Sequence, residues 1–113
     1  MIDISENNLK IVLGILQQFV PHCEVRVFGS RYKWSAKKYS DLDLIIVGKE
    51  KIYWEIISDI KEAFQESDLT FRVDIMDWND IEESFKEDIL KSGYEVIFPI
   101  KKDLEKEIEY ITV

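Results

Sequence analysis

The residues best suited to chemistry in this chain are acids in places where acids are unwelcome. Asp41 and Asp43 sit at the start of the apolar, β-branched run Asp41 to Val47, and Asp74 interrupts the run Phe71 to Met76. Side chains alternate between the two faces of a strand, so Asp41 and Asp43 point one way while Leu42, Leu44 and Ile46 point the other, into a core. Two like charges about 4 Å apart repel by about 4 kcal/mol at an effective dielectric near 20. A hard cation such as Mg²⁺, which prefers oxygen ligands, turns that repulsion into attraction. In the second run Phe71, Val73 and Ile75 share a face, and Arg72 and Asp74 share the other. If the two strands are neighbours, three carboxylates meet. Such a set can hold two metal ions that grip the attacking and leaving oxygens of a phosphoryl displacement. The plainer alternatives are a solvated strand start for Asp41 and Asp43 and a surface pair with Arg72 for Asp74. Asp77 is a rival third ligand, but a regular strand puts it on the opposite face from Asp74.

Ahead of the paired acids stands Gly29-Ser30. A glycine lets the backbone approach a ligand closely, and a serine beginning a helix offers its hydroxyl and N–H to an anion. The pair could hold the β- and γ-phosphates of a triphosphate. Arg31, Lys33, Lys37 and Lys38 follow within nine residues that contain no acid, a local reversal in a chain of net charge -8. Arg31 lies nearest the turn and is expected to help neutralise phosphate. Trp34 could stack on a base, touch a partner or simply pack.

The elements that must position these groups can be read from periodicity. Ser5 can cap a helix over Glu6 to Val20, where Leu9, Val12, Leu13, Leu16 and Val20 recur at helical spacing, and Pro21 ends it. Glu24 to Phe28 alternates as a strand and breaks at Gly29. Asp41 to Val47 and Phe71 to Met76 are the second and third strands. Helices are expected over Lys51 to Glu66 and Asp80 to Ser92, the latter ended by Gly93, with a short strand or extended segment over Tyr94 to Phe98. This predicts an α/β fold, a small mixed sheet with helices packed on one side, in one domain over residues 1–98. The charged tail 99–113 carries Ile100, Leu104, Ile108 and Ile111 at helical spacing, and either docks or frays.

The 113 residues are 46% hydrophobic and 12% aromatic, enough to build a core. The acidic balance argues against a broad nucleic-acid-coating surface, which needs basic residues to displace counterions. Cys23 and His22 are single residues of their types. An internal disulfide is therefore impossible and a zinc site improbable. With no basic-then-apolar leader and no apolar run long enough to span a bilayer, the expectation is a cytoplasmic protein away from membranes.

Taken together, Gly29-Ser30-Arg31, Ser40-Asp41-Leu42-Asp43-Leu44 and Val73-Asp74 resemble the signature of the DNA polymerase β-like nucleotidyltransferases. The size and the Gly-Ser-Arg form resemble the minimal members, the MNT antitoxins paired with HEPN toxins. The resemblance implies that Gly29 and Ser30 bind triphosphate, that Asp41 and Asp43 bind two Mg²⁺ ions, and that Asp74 is a metal ligand and possible base. It implies transfer of AMP from ATP to a hydroxyl, a tyrosine of a HEPN partner, and hence a homo- or hetero-oligomer. The alternative is a non-catalytic antitoxin that neutralises its partner by covering it.

Overall fold

A computed structural model describes residues 1–99; the rest of the expected tail, from Ile100 on, lies outside the described residues. In chain order the elements are α1 (Glu6–Phe19), β1 (Glu24–Phe28), α2 (Ser30–Lys33), β2 (Leu42–Val47), α3 (Trp54–Gln65), β3 (Val73–Asp77), a 3₁₀ turn (Trp78–Asp80), α4 (Glu83–Ser92) and β4 (Glu95–Phe98). The four strands form one mixed sheet in the order β3-β2-β1-β4. Strand β1 pairs antiparallel with both β2 and β4, and β2 pairs parallel with β3. A parallel pair requires a crossover, and α3 supplies it.

Local chemistry accounts for the element ends. The Ser5 hydroxyl accepts the Asn8 N–H at 3.2 Å and caps α1, and Val20 closes the helix just before Pro21. Helix α3 starts at Trp54 rather than Lys51. The Ile52 N–H donates to Asp77 Oδ2 at 2.7 Å, which holds the approach to the helix against β3. Similarly, the expected helix from Asp80 begins only at Glu83. Asp77 Oδ1 accepts the Asn79 N–H at 3.0 Å and winds Trp78–Asp80 into a separate turn.

Leu42, Leu44 and Ile46 of β2 are fully buried with Val25 and Val27 of β1, beneath Val12 and Leu16 of α1 and Ile60 of α3. Burying each such side chain stabilises the fold by roughly 1.5–3 kcal/mol. A slip of one residue along β2 would trade Leu42 and Leu44 for Asp43 in that core, so the packing locks the register. The α/β class and the mixed sheet match expectation. The helices are one-sided only for α1 and α3. Helix α4 lies over the opposite face, where Phe85 meets Phe28 edge to face at 6.0 Å. There Arg26 stacks against Trp78 at 5.1 Å and Tyr94 at 4.4 Å. Those contacts join polar and aromatic groups rather than a periodic apolar stripe, so spacing alone could not show that α4 crosses to this side. Among the described residues, no helix is long and apolar enough to cross a membrane.

Candidate active site

Strand directions gather the site. Because β1 and β2 are antiparallel, the end of β1 lies beside the start of β2, and Phe28 is opposite Asp43. Because β2 and β3 are parallel, the start of β3 lies there too, and Asp43 is directly opposite Asp74. Partners across a ladder point to the same face, so Asp43 and Asp74 share one. Asp41, two residues before Asp43 and just ahead of β2, joins them there. Leu42 N–H donates to the Arg72 carbonyl at 2.9 Å, which continues the pairing back to Asp41. Gly29, Ser30 and the three acids thus occupy one corner of the sheet.

Electrostatics report the crowding. The Asp43 carboxyl is pushed up to about 6 by burial first, then by the charges of Asp74 and Asp41. Asp41 is held by Arg72, whose Nη2 donates to Asp41 Oδ2 at 3.2 Å. The plainer alternative for Asp74 was a surface pair with Arg72; the structure pairs Arg72 with Asp41 instead. Among the described residues, no three carboxylates, imidazoles or thiolates are arranged to surround one ion. The donor chemistry nevertheless fits a hard divalent cation: the three groups are all oxygen donors on one face. The most enclosed of them is reluctant to ionise without a counter-charge.

Gly29 packs directly on this group. Its φ is 74°, and a Cβ there would come within 2.3 Å of Asp43 Oδ2 and 3.2 Å of Asp43 Cγ. Both the conformation and the space therefore require glycine. Ser30 opens the four-residue helix α2 immediately after it.

Arg31 is placed differently from expectation. It is 6% exposed, and its guanidinium is spent on backbone carbonyls. Nε and Nη2 donate to the Ser40 carbonyl at 3.1 and 2.9 Å, Nη1 to Asp3 at 3.0 Å, and Nη2 also to Lys38 at 3.3 Å. Its guanidinium carbon lies 4.0 Å from the centre of the Phe71 ring. In this structure the Arg31 guanidinium fastens the chain around the site. Its partners are carbonyls from remote segments, which leave no trace in side-chain patterning. Trp34 is 60% exposed and donates its indole N–H to the Met1 carbonyl at 2.8 Å. Asp77 is buried and points away from the triad, and its oxygens are engaged by two backbone N–H groups. Cys23 is buried.

Sequence reasoning passed over a cavity of about 780 Å³ beyond β3. Its lining mixes the acids Asp41 and Asp74, the cations Lys61 and Arg72, and apolar side chains such as Phe64 and Phe71. The adjacency of Arg72 and Asp74 was the available signal.

The chain is 49% identical over 105 residues to a Haemophilus influenzae protein named probable protein adenylyltransferase MntA, covering 93% of this chain and 91% of that one. Among solved structures it is similar to a toxin–antitoxin crystallised with AMP-PNP (TM-score 0.62, 16% identity, 93% of this chain and 85% of that one). It is also similar to a tri-AMPylated Shewanella oneidensis HEPN toxin in complex with MNT antitoxin (TM-score 0.57, 16% identity, 96% and 87%). The family model of Polymerase beta, Nucleotidyltransferase matches residues 14–103. With the Gly-Ser turn, the facing acids and the mixed sheet already in place, the chain belongs to the polymerase β nucleotidyltransferase family.

Proposed function

We propose that this chain is a Mg²⁺-dependent protein adenylyltransferase that moves AMP from ATP onto a tyrosine hydroxyl of a HEPN-family toxin. The observation that carries the reading is the direct pairing of Asp43 with Asp74, beside Asp41 and against Gly29. The likeness to a protein named as an adenylyltransferase supports the reaction class, and the toxin–antitoxin complexes support the kind of acceptor.

Asp41, Asp43 and Asp74 would hold two Mg²⁺ ions. Bound there, the ions would neutralise the triphosphate and lower the barrier at its α-phosphorus. The chain's own residues do the positioning. Gly29 brings its backbone up against Asp43, so the N–H groups at the start of α2 and the Ser30 hydroxyl can hold the β- and γ-phosphates. Asp74, the most exposed strand acid, can take the proton from the acceptor hydroxyl. The acceptor oxygen then bonds to the α-phosphorus, the bridging oxygen leaves with its electron pair, and pyrophosphate departs. Alignment and fixed charge supply most of the acceleration in such chemistry.

Incubation with labelled ATP, Mg²⁺ and a HEPN-family toxin from the same genome is expected to label that toxin. Asp43→Asn or Asp74→Asn is expected to lower the rate by about 10²-fold or more. Full labelling by both variants would remove the proposed roles. If the Asp41→Asn, Asp43→Asn double variant silences the toxin as well as the wild type does, the chain acts by covering its partner instead.

A further inference from the structure

We propose that Tyr32, seated on Gly93, is a positioning residue: it fixes the tilt of α2 and, through it, the aim of the Gly29–Ser30 turn. The inference rests on the transferase reading above and adds to it the contact that holds the phosphate turn in place.

Helix α2 has little stability of its own. It spans four residues, Ser30–Lys33, far short of the length at which an isolated helix holds in water. Its hydrogen bonds amount to one turn: the Lys33 N–H donates to the Gly29 carbonyl at 3.0 Å, and the Trp34 and Ser35 N–H groups donate to the Ser30 carbonyl. The helix ends on Trp34 at φ 59°, a conformation that residues other than glycine seldom take. Tertiary contacts must therefore set its orientation, and each of its two middle residues supplies one. Arg31 ties it to the carbonyls of Asp3, Lys38 and Ser40. Tyr32 reaches elsewhere, to the bend between α4 and β4.

Gly93 forms that bend. Its N–H donates to the Ile89 carbonyl at 2.9 Å and closes α4, and its φ of 95° favours glycine. A Cβ there would stand 2.7 Å from both Cε2 and the hydroxyl oxygen of Tyr32 and 3.0 Å from Cζ. The ring edge thus fills the space that a side chain at position 93 would need. Tyr32 is half-buried and packs against the main core as well, so the ring leaves this seat only by giving up apolar contact. The seat is itself fixed to the sheet. Just beyond Gly93, Glu95 of β4 pairs with Val27 of β1, the strand that leads into Gly29. Ser30 lies two residues from Tyr32 on the same turn of helix, so a displaced ring displaces Ser30 and the N–H groups beside it. Hydrogen bonds weaken steeply as alignment is lost, and a misplacement of about 1 Å can cost about 10²-fold in rate.

The test is binding of a non-hydrolysable ATP analogue with Mg²⁺, followed by calorimetry on the wild type, Tyr32→Phe, Tyr32→Ala, Gly93→Ala and the Tyr32→Ala, Gly93→Ala double variant. Each is measured at a temperature where its melt shows it folded. Initial rates of AMP transfer to a HEPN-family toxin give KM for ATP and for the acceptor on the same proteins. Tyr32→Ala and Gly93→Ala are each expected to weaken the analogue and raise KM for ATP by about five- to tenfold, with acceptor KM within about twofold of wild type. Tyr32→Phe keeps the ring edge on Gly93 and should stay within about twofold throughout. Because both alanines break one contact, the double variant should lose no more than about tenfold, whereas independent effects would multiply to about 25- to 100-fold. Should Gly93→Ala not fold, Tyr32→Ala against Tyr32→Phe decides alone. A Tyr32→Ala protein with a lowered Tm and unchanged analogue affinity would make the contact purely structural and overturn the proposal. A multiplied loss in the double variant would overturn it as well, and either result leaves the transferase reading intact. A wild type that binds no nucleotide overturns both.

Discussion

Gly29 and Asp43 constrain each other at the level of single atoms. A methyl group at position 29 would have to occupy the space of Asp43 Oδ2, 2.3 Å away, on a backbone with φ of 74°. The φ strains any side chain at position 29, and the Asp43 carboxylate could make room only by turning away from its place beside Asp74. Gly29→Ala is therefore expected to destabilise the protein by about 1–3 kcal/mol and to cut transfer more severely than the lost stability accounts for. A Tm and a rate measured on the same preparation test this. An alanine variant with full activity would show that the turn can move away from the acid. Asp43 itself supplies a prediction about pH. Its folded-state pKa of about 6 lies above the ordinary 3.8, so the metal-free folded protein holds that proton more tightly than the unfolded chain. The ionised group then opposes folding above pH 6, and the penalty vanishes as pH falls toward 4. Asp43→Asn should be more stable than the wild type at pH 7 by on the order of 1–3 kcal/mol, with the gap closing by about pH 4. Denaturant melts across that range would show it, and a gap independent of pH would contradict the cause given.

At the scale of elements, Arg31 explains how a short helix and an irregular loop can hold a strand start in place. One guanidinium ties the segment before α1, the loop entering β2 and the ring of Phe71 ahead of β3. Removing it leaves three partly buried carbonyls short of a donor, and a polar group left unpaired away from water costs about 1–3 kcal/mol. Arg31→Ala is expected to lose about 2–4 kcal/mol, and Arg31→Lys to recover only part, because an ammonium lacks the planar fork. A thermal melt of each, with nucleotide affinity alongside, decides between this and phosphate contact: an unchanged Tm with weakened nucleotide binding would return Arg31 to the phosphate. The same residue shows where sequence reading stops. The strands were legible because Val25, Val27, Leu42, Leu44 and Ile46 alternate with polar or charged neighbours over much of their length, and the acids stood out against that pattern. Helix α1 was legible from Ser5, its apolar stripe and Pro21. The starts of α3 and α4 were displaced by three residues, because a single buried carboxylate, Asp77, bonds backbone N–H groups from two connections. Side chain to backbone ties across the fold have no periodicity, so neither Asp77 nor Arg31 could be assigned from spacing.

Over the whole molecule, the fold places its least favourable charges where two strand starts and a strand end converge, in a chain already carrying a net charge of -8. The strain is specific to that corner, so its relief should be specific too. A ligand that binds only the folded state stabilises it by RT ln(1 + [L]/Kd), about 2.7 kcal/mol at a hundredfold excess over Kd. For a domain of this size that corresponds to a rise in Tm on the order of 10 °C. Mg²⁺ together with a non-hydrolysable ATP analogue is expected to produce such a rise in the wild type. Sodium chloride at the same ionic strength should not, because it screens the diffuse negative charge without bridging the acids. Asp43→Asn should start from a higher metal-free Tm at pH 7 and respond little to the added cation and nucleotide. The two effects have opposite signs in one variant, which generic stabilisation by removing a surface charge cannot imitate. An Asp43→Asn protein that gains as much as the wild type from Mg²⁺ and nucleotide would mean that the cations are held elsewhere.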